Sequence, residues 1–156
     1  MAKQKEKKVG GPFIAAAMLC NSVSEDSDGV LSAMRIVDQV GLNIPPDAPP
    51  DFPSKAKPID VSLFALIIIR RGDAKVGKHN LRLVMENPEG KIKPLAKAKI
   101  EFPQFQNGAA NVKIRLGLKL YTPGVFWIDV ILDKQRLTRM ALNLILNRPE
   151  RSGSKT

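Results

Sequence analysis

With 156 residues, 44% of them hydrophobic and 26% charged, the chain is long enough for one domain with a sizeable core, and it has no apolar stretch long enough to cross a bilayer as a helix. A single cysteine, Cys20, excludes an intrachain disulfide and any thiolate cluster, and a single histidine, His79, excludes metal sites built on two or more imidazoles. The formal charge of +10 is concentrated at the ends: residues 1–11 carry +3, residues 147–156 carry +2, and only +5 remains on 12–146. A charge of that size gives solubility and a weak attraction for anions; it does not by itself define a nucleic-acid binder.

In chain order, residues 1–11 read as a flexible basic arm, 12–147 as a single domain and 148–156 as a flexible tail. Lys3 to Lys8, the apolar run Phe13–Leu19 and then Cys20 imitate a secretion signal with a lipoprotein cysteine. The run is only seven residues, however, and Leu19 stands where processing requires a small side chain. The reading is therefore a cytoplasmic protein whose first core strand is Phe13 to Asn21. Val30 to Val40 fits a helix through Val30, Met34, Val37 and Val40, with Gly41 as its stop, and equally a strand bearing Val30, Met34 and Ile36. Residues 45–58 hold six of the twelve prolines and read as an extended, polyproline-like crossover. Ile59 to Ile69 is almost continuously aliphatic, which suits a central strand buried on both faces or one that passes from sheet to sheet.

The second half alternates with period two. Leu81, Leu83 and Met85 alternate with Arg82 and Glu86; Asn87-Pro88-Glu89-Gly90 is a turn; Ala96, Ala98, Ile100 and Phe102 alternate with Lys97, Lys99 and Glu101. Asn111 to Leu120 puts Val112, Ile114, Leu116, Leu118 and Leu120 on one face and Asn111, Lys113, Arg115, Gly117 and Lys119 on the other. After a turn at Thr122-Pro123-Gly124, a strand carries Phe126, Ile128, Val130 and Leu132. A tight hairpin at Asp133-Lys134-Gln135 leads into a last strand with Met140, Leu142, Leu144 and Leu146. Short strands at roughly ten-residue spacing predict an all-β, two-sheet antiparallel β-sandwich of seven or eight strands, immunoglobulin-like or C2-like.

Several motifs suggest chemistry. Gly72-Asp73-Ala74-Lys75-Val76-Gly77-Lys78-His79 approaches the phosphate-binding loop G-x-x-x-x-G-K-[ST], and Val125–Asp129 resembles the acid-bearing strand of nucleotide hydrolases. His79 nevertheless replaces the Mg²⁺-binding hydroxyl, and the following residues alternate as a strand where the chemistry needs a helix N-terminus facing the phosphates. The acidic turn Glu25-Asp26-Ser27-Asp28-Gly29 lacks the register of a helix-loop-helix calcium site, since Arg35 falls where the bidentate glutamate belongs. No serine lies in a nucleophile-elbow context, and Asp38, Asp60 and Asp129 read as wet-face residues. The sequence therefore points to a protein that is not an enzyme, with no catalytic residue, metal ligand or cofactor assigned.

Binding is the remaining class. Arg82, Lys97, Lys99, Lys113, Arg115 and Lys119 form a candidate anion- or nucleic-acid-binding face, with the tails adding charge. Trp127 and Ile131 alternate away from Phe126, Ile128 and Val130. They are a candidate contact with a protein partner or a second copy of the chain, or else the outer side of a strand buried on both faces.

A run of short motifs carries a family resemblance: Ala15-Ala16-Ala17-Met18-Leu19-Cys20-Asn21-Ser22-Val23, then Gly29-Val30-Leu31-Ser32 with Val37-Asp38, then Leu81-Arg82-Leu83, Glu86 through Gly90, and Pro123-Gly124-Val125-Phe126. Over about residues 13–146 the chain resembles a family of small bacterial β-sandwich proteins known only as a domain of unknown function. The resemblance implies a strand for Val30 to Val40 and carries no activity, ligand or catalytic residue. Asn21 stands where the family pattern leads one to expect Asp.

Overall fold

The computed structural model describes residues 10–104 and 108–149. Most of the basic arm and tail expected at 1–11 and 148–156 lies outside the described residues. Among these residues nine strands occur: β1 (Phe13–Glu25), β2 (Leu31–Ile36), β3 (Gln39–Asn43), β4 (Ile59–Arg70), β5 (Gly77–Glu86), β6 (Ile92–Phe102), β7 (Ala109–Leu120), β8 (Gly124–Leu132) and β9 (Gln135–Asn147). They form a four-stranded sheet in the order β2-β1-β4-β7 and a five-stranded sheet in the order β3-β9-β8-β5-β6. The chain is all-β in two sheets, as the alternation implies, but with nine strands in place of seven or eight.

The extra strand comes from residues 30–40. They are neither the single strand nor the helix considered from sequence, but two short strands in different sheets. β2 pairs antiparallel with β1, Arg35 turns the chain with φ of 56°, and β3 then pairs with β9 in parallel. The link between them is bound on both sides: the Val37 N–H donates to the Leu19 carbonyl of one sheet, and the Asn143 N–H donates to the Asp38 carbonyl from the other. The β3–β9 pair also corrects the expectation of a wholly antiparallel structure.

Both sheets bury their inner faces in one core. β7 supplies Leu116, Leu118 and Leu120, β4 supplies Leu63, Ala65, Ile67 and Ile69, and Leu81, Leu83, Phe126, Ile128 and Leu142 meet them from the five-stranded sheet. The Asn111–Leu120 alternation is thus realised as read, even residues inward and odd residues to solvent. The Asn87–Gly90 turn closes through a Gly90 N–H to Asn87 carbonyl bond of 2.9 Å. Asp133-Lys134 forms a two-residue hairpin loop with Asp133 at φ 53°, the positive-φ geometry that matches strand twist. Residues 45–58 are not the extended crossover expected. They fold as successive turns, with Ala48 N–H on the Pro45 carbonyl, Phe52 N–H on Pro49, and Ser54 and Lys57 exchanging backbone bonds.

Candidate functional site

Every second residue of a strand points away from the core, and the two outer faces differ in kind. On the four-stranded sheet the register aligns Ile36 on β2 with Cys20 on β1, Cys20 with Phe64 on β4, and Phe64 with Arg115 on β7. The next rows run Met18–Leu66–Lys113 and Ala16–Ile68–Asn111, and Met34 lies opposite Ser22. From Leu63 to Ile69 β4 is apolar on both sides because its sequence there is apolar at both parities, yet only its inner side meets the common core. Leu66, 4% exposed, and Cys20, fully buried, lie outside that core cluster. At the β2 end the surface is open, with Met34 at 59% and Ile36 at 65% exposure.

The β7 end of the same face is cationic. Lys119 Nζ pairs with Asp60 Oδ1 at 3.1 Å, Arg115 Nε donates to Ser62 Oγ at 3.3 Å, and Lys113 alternates with them in the open. The six basic residues expected to form one face are therefore split by the fold. Lys113, Arg115 and Lys119 border the apolar face, whereas Arg82, Lys97 and Lys99 lie on the outer face of the other sheet, around a groove of about 540 Å³ that also touches Asn80 and Asp133. Arg82 and Lys97 stand directly opposite each other across β5 and β6. Five of the six cations are on β6 and β7, which are edge strands of their sheets.

Trp127 and Ile131 do point outward from β8, although β8 is central in its sheet. Trp127 is 37% exposed, with the Arg139 guanidinium 5.1 Å from its ring centroid. Between the two apolar residues lies a charged network: Arg139 Nε donates to Asp129 Oδ1 at 2.7 Å, Arg139 Nη2 donates to Glu86 Oε2 at 2.5 Å, and Arg136 approaches Asp129 at 3.8 Å. The outer side of β8 is therefore not buried under another layer, and its apolar surface is interrupted by ion pairs.

The phosphate-loop lookalike has a structural role. Gly77, Lys78 and His79 begin β5, and no helix follows. Gly72, at φ 54°, lies so close to Gly10 that an added Cβ would stand 2.4 Å from the Gly10 carbonyl oxygen. His79 Nδ1 lies 2.7 Å from Asp133 Oδ2, and Nε2 lies 2.7 Å from the Lys75 carbonyl. Both partners only accept, so the protonated ring, which donates from both nitrogens, is the form these two contacts favour. Burial alone would lower the pKa of His79, but the bonds to Asp133 and Lys75 and the Asp133 charge outweigh it and raise the pKa above its ordinary value. The ring ties the 71–77 loop to the β8–β9 hairpin, where Asp133 also accepts the Asn80 N–H.

The fold is all-β in two sheets whose outer faces differ in kind. The chain belongs to a family of unknown function (DUF6941), whose profile matches residues 15–145. No curated protein matches it. Among solved structures, it is similar to Pseudomonas fluorescens alkylpurine DNA glycosylase AlkC, bound to DNA containing an abasic site analog, at 10% identity and a TM-score of 0.40. That likeness covers 83% of this chain and 30% of the glycosylase chain, and at that score it says nothing of what this chain does.

Proposed function

We propose that this protein is a non-enzymatic binding module. In this reading its two sheets act as a β-sandwich scaffold, and the outer face of the four-stranded sheet docks a protein partner that carries apolar side chains flanked by carboxylates. The observation that supports this is the apolar surface running from Met34 and Ile36 through Phe64 to Ile68, bounded on the β7 side by Lys113, Arg115 and Lys119. An outward sheet face in water is ordinarily polar. A contiguous apolar one rimmed by charge fits an interface, and the sign of the rim selects an acidic partner. Edge-strand pairing is the weaker mechanism for the same role. β7 carries three cations, β6 carries Pro94 with Lys93, Lys97 and Lys99, β2 is kinked at Arg35, and β3 has five residues, all features that discourage a further strand.

Selection from a random peptide library tests this, with the wild-type chain and a Met34→Ser/Ile36→Ser chain as parallel baits. Sequences that alternate apolar and acidic residues should be enriched on the wild type alone. Equal enrichment on both baits, or enrichment of basic peptides, would sink the proposal.

A second reading, anion binding in the groove of Arg82, Lys97 and Lys99, is favoured by the like charges of Arg82 and Lys97 placed opposite each other, an arrangement that costs stability unless an anion lies between them. Heparin binding that weakens steeply with added salt, and is lost in Arg82→Gln/Lys97→Gln, is the expected result; binding indifferent to ionic strength refutes it.

A further inference from the structure

A cleft of about 240 Å³ opens at the end of the molecule where the start of β4, the β5–β6 turn and the β7–β8 turn meet. Four lysines, Lys55, Lys91, Lys93 and Lys119, converge on it from three separate stretches of chain. Two carboxylates offset part of that charge: Glu89 lies 3.5 Å from Lys91 and Asp60 lies 3.1 Å from Lys119. Lys55 Nζ lies 5.7 Å from the centroid of the Tyr121 ring. Lys93 has no carboxylate partner among the described residues. Among the described residues the cleft thus keeps a net positive charge.

Its wall also holds an oriented hydroxyl. Asn87 is 7% exposed, and its Oδ1 accepts the N–H groups of Glu89 at 3.0 Å and Lys91 at 2.8 Å, while its Nδ2 donates to the Tyr121 hydroxyl at 3.0 Å. The phenol oxygen accepts that bond, so its own proton is left to donate to something else. Beneath these groups the floor is apolar, built from Pro58, Met85 and Phe126.

We infer that this cleft binds a small organic anion: an oxyanion headgroup, carboxylate or phosphate, on a compact apolar or aromatic body. The lysines and the Tyr121 hydroxyl hold the headgroup and the floor takes the body. The volume suits an anion smaller than most cofactors. The cleft shares Lys119 with the border of the docking face on the four-stranded sheet, but the inference does not rest on that face.

Amide NMR spectra of the full chain, titrated separately with phenyl phosphate, benzoate, inorganic phosphate and benzylamine, test the inference. Saturable shifts centred on Asn87, Lys91 and Tyr121 are expected with the two aromatic anions, with the tighter of the pair identifying the headgroup. Inorganic phosphate should bind about tenfold more weakly for want of the apolar contact, and benzylamine should give no shift. Tyr121→Phe should weaken the aromatic anions about tenfold with an unchanged spectrum elsewhere. Lys93→Met, at an exposed site, should weaken them and flatten the salt dependence. Benzylamine binding as well as the anions, shifts centred instead on Arg82 and Lys97, an affinity unmoved by both variants, or no saturable shift would each overturn it.

Discussion

The docking face makes a quantitative claim at two residues. Ile36 and Met34 are 65% and 59% exposed, so most of each side chain is still in water and available to a partner. Complete burial of such a side chain stabilises by about 1.5–3 kcal/mol. The exposed fractions are then worth about 1–2 kcal/mol each if a partner covers them. Replacing both by serine should therefore weaken a selected acidic-apolar peptide by about 2–4 kcal/mol, or about 30- to 1,000-fold in Kd. The translational and ordering costs of association are common to both chains and cancel in the difference. The fold should scarcely notice, because both side chains are exposed and the positive-φ residue between them, Arg35, is unchanged; such substitutions stay within about 0.5 kcal/mol each. Fluorescence anisotropy with a labelled peptide measures the first quantity and urea denaturation the second. A loss in Kd below about threefold would refute the docking reading. A stability loss above about 2 kcal/mol would show that these residues belong to the core rather than to an interface.

Other consequences follow from the same geometry. His79→Gln should destabilise the protein most below about pH 6.5, because a raised folded-state pKa gives stability that is fully present below the unfolded value and is lost as pH rises through the folded value. A stability difference that stays flat in denaturation curves from about pH 5 to 9 would contradict this. The His79 bond and the Asn80 N–H lower the pKa of Asp133, so the Asp133 contribution should persist above its ordinary value and fade as pH falls below it, leaving Asp133→Asn nearly harmless in acid. Leu83→Ala, at a fully buried site between Ala96 and Val130, should cost about 2–5 kcal/mol and lower Tm by about 2–4 °C for each, read by calorimetry; a shift within error would mean the site collapses freely. Burial raises the pKa of the Cys20 thiol, so a thiol reagent should modify it at neutral pH only after unfolding; native labelling at the rate of a free thiol would refute its burial.

The strands of the second half were legible because their alternation is a direct image of one dry and one wet face, and β7 is the cleanest case. The outer apolar face was not, because Leu63–Ile69 is apolar at both parities and periodicity then loses its power to separate inside from outside. The excess of apolar residues was the visible signal, but whether a second layer covers them is a question of topology. The split of 30–40 into β2 and β3 was hidden for a related reason: a chain that changes sheets in midcourse presents neither period for long enough to be recognised. The lysine cleft was the least visible feature. Lys55, Lys91 and Tyr121 are dispersed along the sequence and converge only when the turns at one end of the fold come together. Asn87 was read as the first residue of a turn, which it is, but its second role of holding Tyr121 needs the neighbouring loop in place.

In the docking proposal, the distribution of charge favours a partner over a second copy of the chain. Face-to-face self-association across the four-stranded sheet would bring the rows bordered by Lys113, Arg115 and Lys119 into one buried interface, and the only carboxylate in register with them is Asp60, opposite Lys119. Like charges crowded into a desolvated rim oppose association, and placing them against a neutral surface would leave them unpaired. The same three residues guard the edge of β7 against another copy's strand. One set of cations thus discourages self-assembly by either route and leaves the apolar face open to a partner that brings carboxylates of its own, which is why the proposed occupant is a different, acidic protein.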